Sequence, residues 1–213
     1  MATFKHVESG KRFLFVHIPR TAGRFVEWNL EAQGWVWDDK NVIDKMYKSV
    51  EGIELAHFHR EFYEKYLDVK DIPHISIVRN PIDRFISASM WLTRLYGDDI
   101  QESMEDPMMF SSMIYNFPAS ESLNWYRPQV DFISDKTHVW KFEDGIGDEF
   151  SSWISGIVGV DIKMDKDLKY LKHPRMREDS VESRLKKTDA LIHNLSIFYR
   201  KDFFKFYQDN ESP

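Results

Sequence analysis

The stretch FLFVHIPRTAGRF, residues 13–25, decides how this chain is read. An apolar run stops at Pro19, a basic turn of small residues follows, and the chain becomes apolar again at Phe25. Strand, turn and helix in that order form a cradle for an anion: amides at a helix start point outward, and the helix dipole favours negative charge. Gly23 permits close backbone approach, Thr21 offers a hydroxyl, and Arg20 and Arg24 offer charge. The G-x-x-x-x-G-K-[ST] pattern of a Walker loop is absent. On spacing alone the stretch is equally a plain strand-to-helix turn with solvated arginines.

The rest of the chain sets the context. Its 213 residues make a single domain, 1–213, long enough to bury a real core. Hydrophobic content of 42% against 30% charged is globular rather than disordered. Seven Trp and 16 Phe are first of all core material. A net charge of −6 argues against a general nucleic-acid binder, so an anionic ligand needs a local basic site. Without cysteine there are no disulfides, thiolate nucleophiles or Cys-based metal sites. No apolar run reaches the roughly 20 residues of a membrane span, and the first residues lack the apolar core of a signal peptide. The expectation is a soluble cytoplasmic protein with no membrane partner; bacterial or viral origin fits, and the oligomeric state is open.

Along the chain, Arg12–Ile18 reads as a buried strand and Phe25–Gln33 as a helix. Ile53–His59 alternates like a strand, Arg60–Leu67 is helical, and His74–Val78 is a short β-rich run. Pro81–Tyr96 is a long helix, with Asn80 as its N-cap and Asp83 in its first turn. Residues 98–107 read as an acidic loop, with helical pieces at 108–115 and 120–126. Thr137–Phe142 reads as a strand, Glu143–Ile157 as a helix, and 161–179 as charged and irregular. Ser183–Asn194 and Ser196–Tyr207 read as closing helices. Strands alternating with helices predict an α/β fold: three layers, a mainly parallel sheet flanked by helices, with ligands outside the carboxyl ends of the strands.

ISIVRNPIDRFISAS, residues 75–89, repeats the first architecture. Arg79 ends a strand, and Ser87 lies about two turns into the following helix, so both can reach one phosphate. Asp83 and Arg84 read as a helix-end charge and a surface pair. Two such sites in one sheet suit a ligand with two separated anionic ends. His57 and His59, two apart on a strand, would face the same side. His57 reads as a core histidine and His17 as structural, and no metal is expected because no metal-ligand spacing accompanies the pair.

Together the two motifs resemble sulfotransferases that use 3′-phosphoadenosine-5′-phosphosulfate (PAPS), whose fold is P-loop-like. HIPRTAGRF, 17–25, is similar to the family's H-I-P-K-T-A-G-[ST]-[ST], which binds the 5′-phosphosulfate. RNPIDRFIS, 79–87, matches R-[DN]-P-x-[DE]-R-x-x-S, which binds the 3′-phosphate. AHFH (56–59), RLYGDD (94–99), NWYRPQVDFI (124–133), VWKFED (139–144) and FYRKDFFKFY (198–207) resemble segments of the heparan sulfate and uronyl 2-O-sulfotransferase branch. The similarity runs from about residue 12 to residue 207.

The resemblance implies sulfuryl transfer from PAPS to a hydroxyl, on a glycan by family analogy, leaving 3′,5′-ADP. It makes His59 the general base and Arg20 a catalytic and donor-binding residue. Thr21, Ala22, Gly23, Arg24 and Phe25 would hold the 5′-phosphosulfate, and Arg79, Ser87 and Arg175 in LKHPRMR the 3′-phosphate. Arg20 replaces the family lysine and cannot readily donate a proton. Arg24 and Phe25 replace two hydroxyl residues, Phe25 being expected to point to the core. The rival readings are a nucleotide-binding phosphotransferase and a sulfotransferase-like protein that binds without turnover.

Overall fold

The computed structural model describes residues 2–38, 55–96, 106, 125–168 and 187–208. The acidic stretch 98–105, the helix expected at 108–115, and Arg175 with its loop lie outside these residues. Of the helix expected at 120–126, Trp125 and Tyr126 are described, and they form a turn.

Five strands make one mixed sheet: β1 (Ala2–His6), β2 (Arg12–Val16), β3 (Trp35–Trp37), β4 (His74–Val78) and β5 (Thr137–Lys141), in the order β3-β1-β2-β4-β5. The β2–β4 and β4–β5 pairs are parallel, and the β1–β2 and β1–β3 pairs are antiparallel. The class is α/β as expected, and its parallel half carries both motifs. The antiparallel extension is new relative to the sequence reading. β1 turns back onto β2 through a loop closed by the left-handed Gly10, stacking Phe4 on Phe13 with ring centroids 5.8 Å apart.

Both faces of the sheet are covered. On one, Phe13, Phe15, Ile75 and Ile77 pack against Val26 and Leu30 of α1 (Gly23–Ala32) and Phe150, Ile154 and Val158 of α4 (Asp148–Val158). On the other, Leu14, Val16 and Val78 meet Tyr63 of α2 (Arg60–Tyr66), Phe58 and Phe132. Strand alternation divides β2 and β4 between the two cores. Helix α3 (Pro81–Tyr96) packs Phe85 and Ala88 against Tyr126 and against Leu191, Leu195 and Tyr199 at α5 (Asp189–Phe198), which leads into α6 (Arg200–Phe206). Among the described residues no helix is long and apolar enough to cross a membrane.

Two sequence expectations are corrected. Leu55–His57 is a 3₁₀ turn rather than the end of a strand, and Phe58–His59 runs straight into α2. Phe58 is sealed into the second core, so this segment packs as a buried corner instead of pairing with the sheet. Arg84 is not a surface residue. It is 0% exposed, and its guanidinium donates to the carbonyls of Trp125 (2.8 Å), Tyr126 (3.5 Å) and Arg127 (2.7 Å). It shares the buried stripe of α3 with Pro81, Phe85 and Ala88, spaced as a 3.6-residue period requires. Asp83 does pair at the surface, with Lys187 at 2.6 Å.

Replacing Arg84 with Ala strips three buried or half-buried carbonyls of their donor and leaves a cavity. The expected loss is about 3 kcal/mol or more of unfolding free energy. Urea titration checks it; a loss within about 0.5 kcal/mol, the usual range for exposed positions, contradicts the clamp role.

Candidate functional site

Both motifs leave the carboxyl ends of neighbouring parallel strands. Val16 pairs with Ser76, so the turn after β2 and the turn after β4 open at the same end of the sheet. The α3 start is the one the sequence prescribes. Asn80 Oδ1 accepts from the amides of Ile82 (3.0 Å) and Asp83 (3.3 Å), and Pro81 occupies the first helical position, where an N–H is not needed.

The motifs touch. Arg20 Nε donates to Ser87 Oγ at 2.9 Å, and Arg79 Nη1 donates to the Arg20 carbonyl at 3.4 Å. Arg20, Arg79 and Ser87 thus form one cluster from segments far apart in sequence. Ser87 accepts from Arg20, which leaves its own hydroxyl hydrogen to donate onward. Arg79 also lies over the Phe142 ring, 4.7 Å from its centroid. Burial lowers the Arg79 pKa from its ordinary value, opposed by the nearby charges of Asp83 and Glu143; an arginine there stays charged at neutral pH. No carboxylate among the described residues forms an ion pair with it. A half-buried cation of this kind suits an anionic partner.

The first turn is unusual in its backbone. Arg20 and Ala22 both have φ of 68°, in the left-handed region. Each costs about 1 kcal/mol for a residue with a Cβ. Thr21 is buried, and its hydroxyl donates to the Ile18 carbonyl at 2.9 Å, which fixes the turn from inside. The Phe25 and Val26 amides bond back to Ala22, starting α1 at once. Phe25 packs against the first core, as expected for this departure from the family pattern. Arg24 is largely exposed and reaches Glu27 Oε2 at 3.3 Å.

Gly23 serves an internal neighbour. A Cβ placed there would lie 2.3 Å from His17 Cδ2 and 2.4 Å from its Nε2, so the imidazole fills the space above the glycine. Glu27 holds that ring: His17 Nδ1 donates to Glu27 Oε1 at 2.8 Å, with both side chains buried. Burial alone would raise the Glu27 pKa; the adjacent His17 and Arg24 overcome it and hold it at about 2. The sequence reading missed Glu27, although it falls with Gly23, Val26 and Leu30 on the buried face of α1, where a carboxylate calls for a partner.

The histidines are split. His57 is buried, its ring 5.5 Å from His17 and 5.2 Å from Trp125. That chain of rings sets the 55–59 corner beside the first turn. His59 stands at the N-cap of α2 against Phe62, with ring centroids 4.6 Å apart. Its Nδ1 is buried without a hydrogen-bond partner among the described residues, and its Nε2 lies 3.9 Å from Glu61 Oε2. Burial, then the charge of Arg127, lowers its pKa to about 4. His59 is therefore a neutral imidazole at neutral pH, the form a proton acceptor requires.

No family model matches the chain. No curated protein matches it. Among solved structures, the crystal structure of a sulfotransferase from Alicyclobacillus acidocaldarius aligns with a TM-score of 0.39 and 20% identity, over 67% of this chain and 55% of that one. This chain thus spans little more than half of that structure's length. At that score the likeness carries neither fold nor function, which rest here on the geometry above.

Gly23→Ala drives a methyl into the His17 ring and is expected to cost about 2 kcal/mol. Added to His17→Ala, the same substitution should cost much less, because the space is then empty. Denaturation of the two single variants and the double variant measures the coupling; additive losses contradict the packing.

Proposed function

We propose that this protein is a PAPS-dependent sulfotransferase acting on a hydroxyl acceptor, a carbohydrate by the resemblance of its motifs. The observation that carries the reading is the Arg79–Arg20–Ser87 cluster, in which the two anion motifs meet at the carboxyl ends of adjacent parallel strands. The residues fit such a donor: a half-buried arginine suits one phosphate, and a strained, preformed turn at a helix start suits the other anionic end. PAPS supplies a sulfuryl group already activated on a phosphate.

In this scheme Arg20 and the amides after it hold the 5′-phosphosulfate and stabilise the charge left on the phosphate. Arg79 and Ser87 hold the 3′-phosphate and fix the donor's direction. His59 accepts the proton of the acceptor hydroxyl. Arg24 adds charge at the rim, and Arg175 joins the 3′-phosphate contacts. Binding without turnover is the second reading, favoured by the cover over His59 Nδ1.

Thermal shifts with 3′,5′-ADP and ATP test the donor class; stabilisation by 3′,5′-ADP is expected, and preference for ATP contradicts it. Sulfate transfer from labelled PAPS should fall at least about 100-fold in Arg20→Ala and in His59→Ala. Because the lowered His59 pKa is about 4, the base form persists well below neutrality. The acid limb of kcat/KM should have its midpoint near that value and vanish in His59→Ala. Unchanged transfer in both variants sinks the mechanism; binding of PAPS with no transfer by the wild type favours the second reading.

A further inference from the structure

We infer that Gln129 is the positioning residue for Arg79, and that Asp202 sets Gln129 in turn; this rests on Arg79 being an anion contact. Arg79 lies one residue beyond β4, where the sheet no longer supplies backbone partners. Gln129 supplies them instead. Its Oε1 accepts from the Arg79 amide at 2.9 Å, and its Nε2 donates to the Arg79 carbonyl at 2.8 Å. A side-chain amide stands in for the peptide group of a neighbouring strand and fixes the backbone on both sides of the Arg79 Cα.

The pairing is specific to glutamine. It needs a donor and an acceptor on one planar group at that reach; Glu lacks the donor, Met lacks both, and Asn is a methylene too short. Asp202 fixes which way the amide faces. Its Oδ2 accepts from the Gln129 amide at 2.8 Å and lies 3.4 Å from Gln129 Nε2, and its Oδ1 accepts from the Val130 amide at 2.9 Å. A carboxylate accepts only, so Gln129 Nε2 must face Asp202 and the Arg79 carbonyl, leaving Oε1 for the Arg79 amide. Gln129 and Asp202 are both 0% exposed, so no water substitutes for either. Through these two side chains helix α6 governs the aim of an arginine at the far end of β4.

The readout is selectivity for the 3′-phosphate. Calorimetric titration of the full chain with 3′,5′-ADP and with 5′-AMP gives an affinity ratio that isolates that contact. Gln129→Met should reduce the ratio about tenfold, mostly through weaker 3′,5′-ADP binding, as expected when a charged hydrogen bond is misaligned. In an Arg79→Ala background the same substitution should leave the ratio unchanged. Should Gln129→Met not fold, Asp202→Asn retains the shape and should move the ratio in the same direction by a smaller factor. A wild type without preference for 3′,5′-ADP refutes the nucleotide site itself, and this inference with it. A wild type with the preference, and a folded variant that keeps the full ratio or loses both affinities equally, refutes the inference alone.

Discussion

The hydrogen bond from Arg20 Nε to Ser87 Oγ ties together the two halves on which the site depends. Each half is a strand that stops and a helix that starts, a common feature of α/β sheets. They become one site because β2 and β4 are parallel neighbours, which puts both turns at one end of the sheet. Had β4 been antiparallel to β2, Arg79 would lie at the opposite end. The parallel register is thus the first constraint, and the Arg20–Ser87 contact its local expression.

The site is held stiff from several sides. Thr21 pins the first turn from within, and the His17–Glu27 pair packs over Gly23. Asn80 and Gln129 hold the backbone of the second motif, and Glu143 Oε1 accepts from the Asn80 amide at 2.6 Å. Such stiffness offsets the left-handed Arg20 and Ala22, which a loose turn would not retain. A turn preformed at that cost spends little further entropy on capturing an anion. Arg84, by fastening the 125–127 carbonyls, also places Gln129 a few residues downstream.

Much of this was legible in the sequence where local signals are strong. β4 and α3 run over the residues expected, because Asn80-Pro81 both caps and starts the helix. The α/β class followed from the alternation of elements. β1 and β3 were missed because strands of five and three residues are too short to show a period. The 55–59 corner was misread because its residue types alternate like a strand, whereas the consecutive His57, Phe58 and His59 are all buried. Glu27 and Arg84 were passed over as charged residues, although helical spacing puts both on apolar stripes. The link from Asp202 through Gln129 to Arg79 has no local signature; its two steps join positions 73 and 50 residues apart, which proximity in the fold alone reveals.

The central claim is that one nucleotide with two anionic ends spans the paired motifs. A crystal structure with 3′,5′-ADP tests it most directly. The account predicts the 5′-phosphate on the amides of residues 21–24 beside Arg20, and the 3′-phosphate within hydrogen-bond distance of Arg79 and Ser87. A nucleotide bound elsewhere, or bound with the two phosphates exchanged, would contradict it.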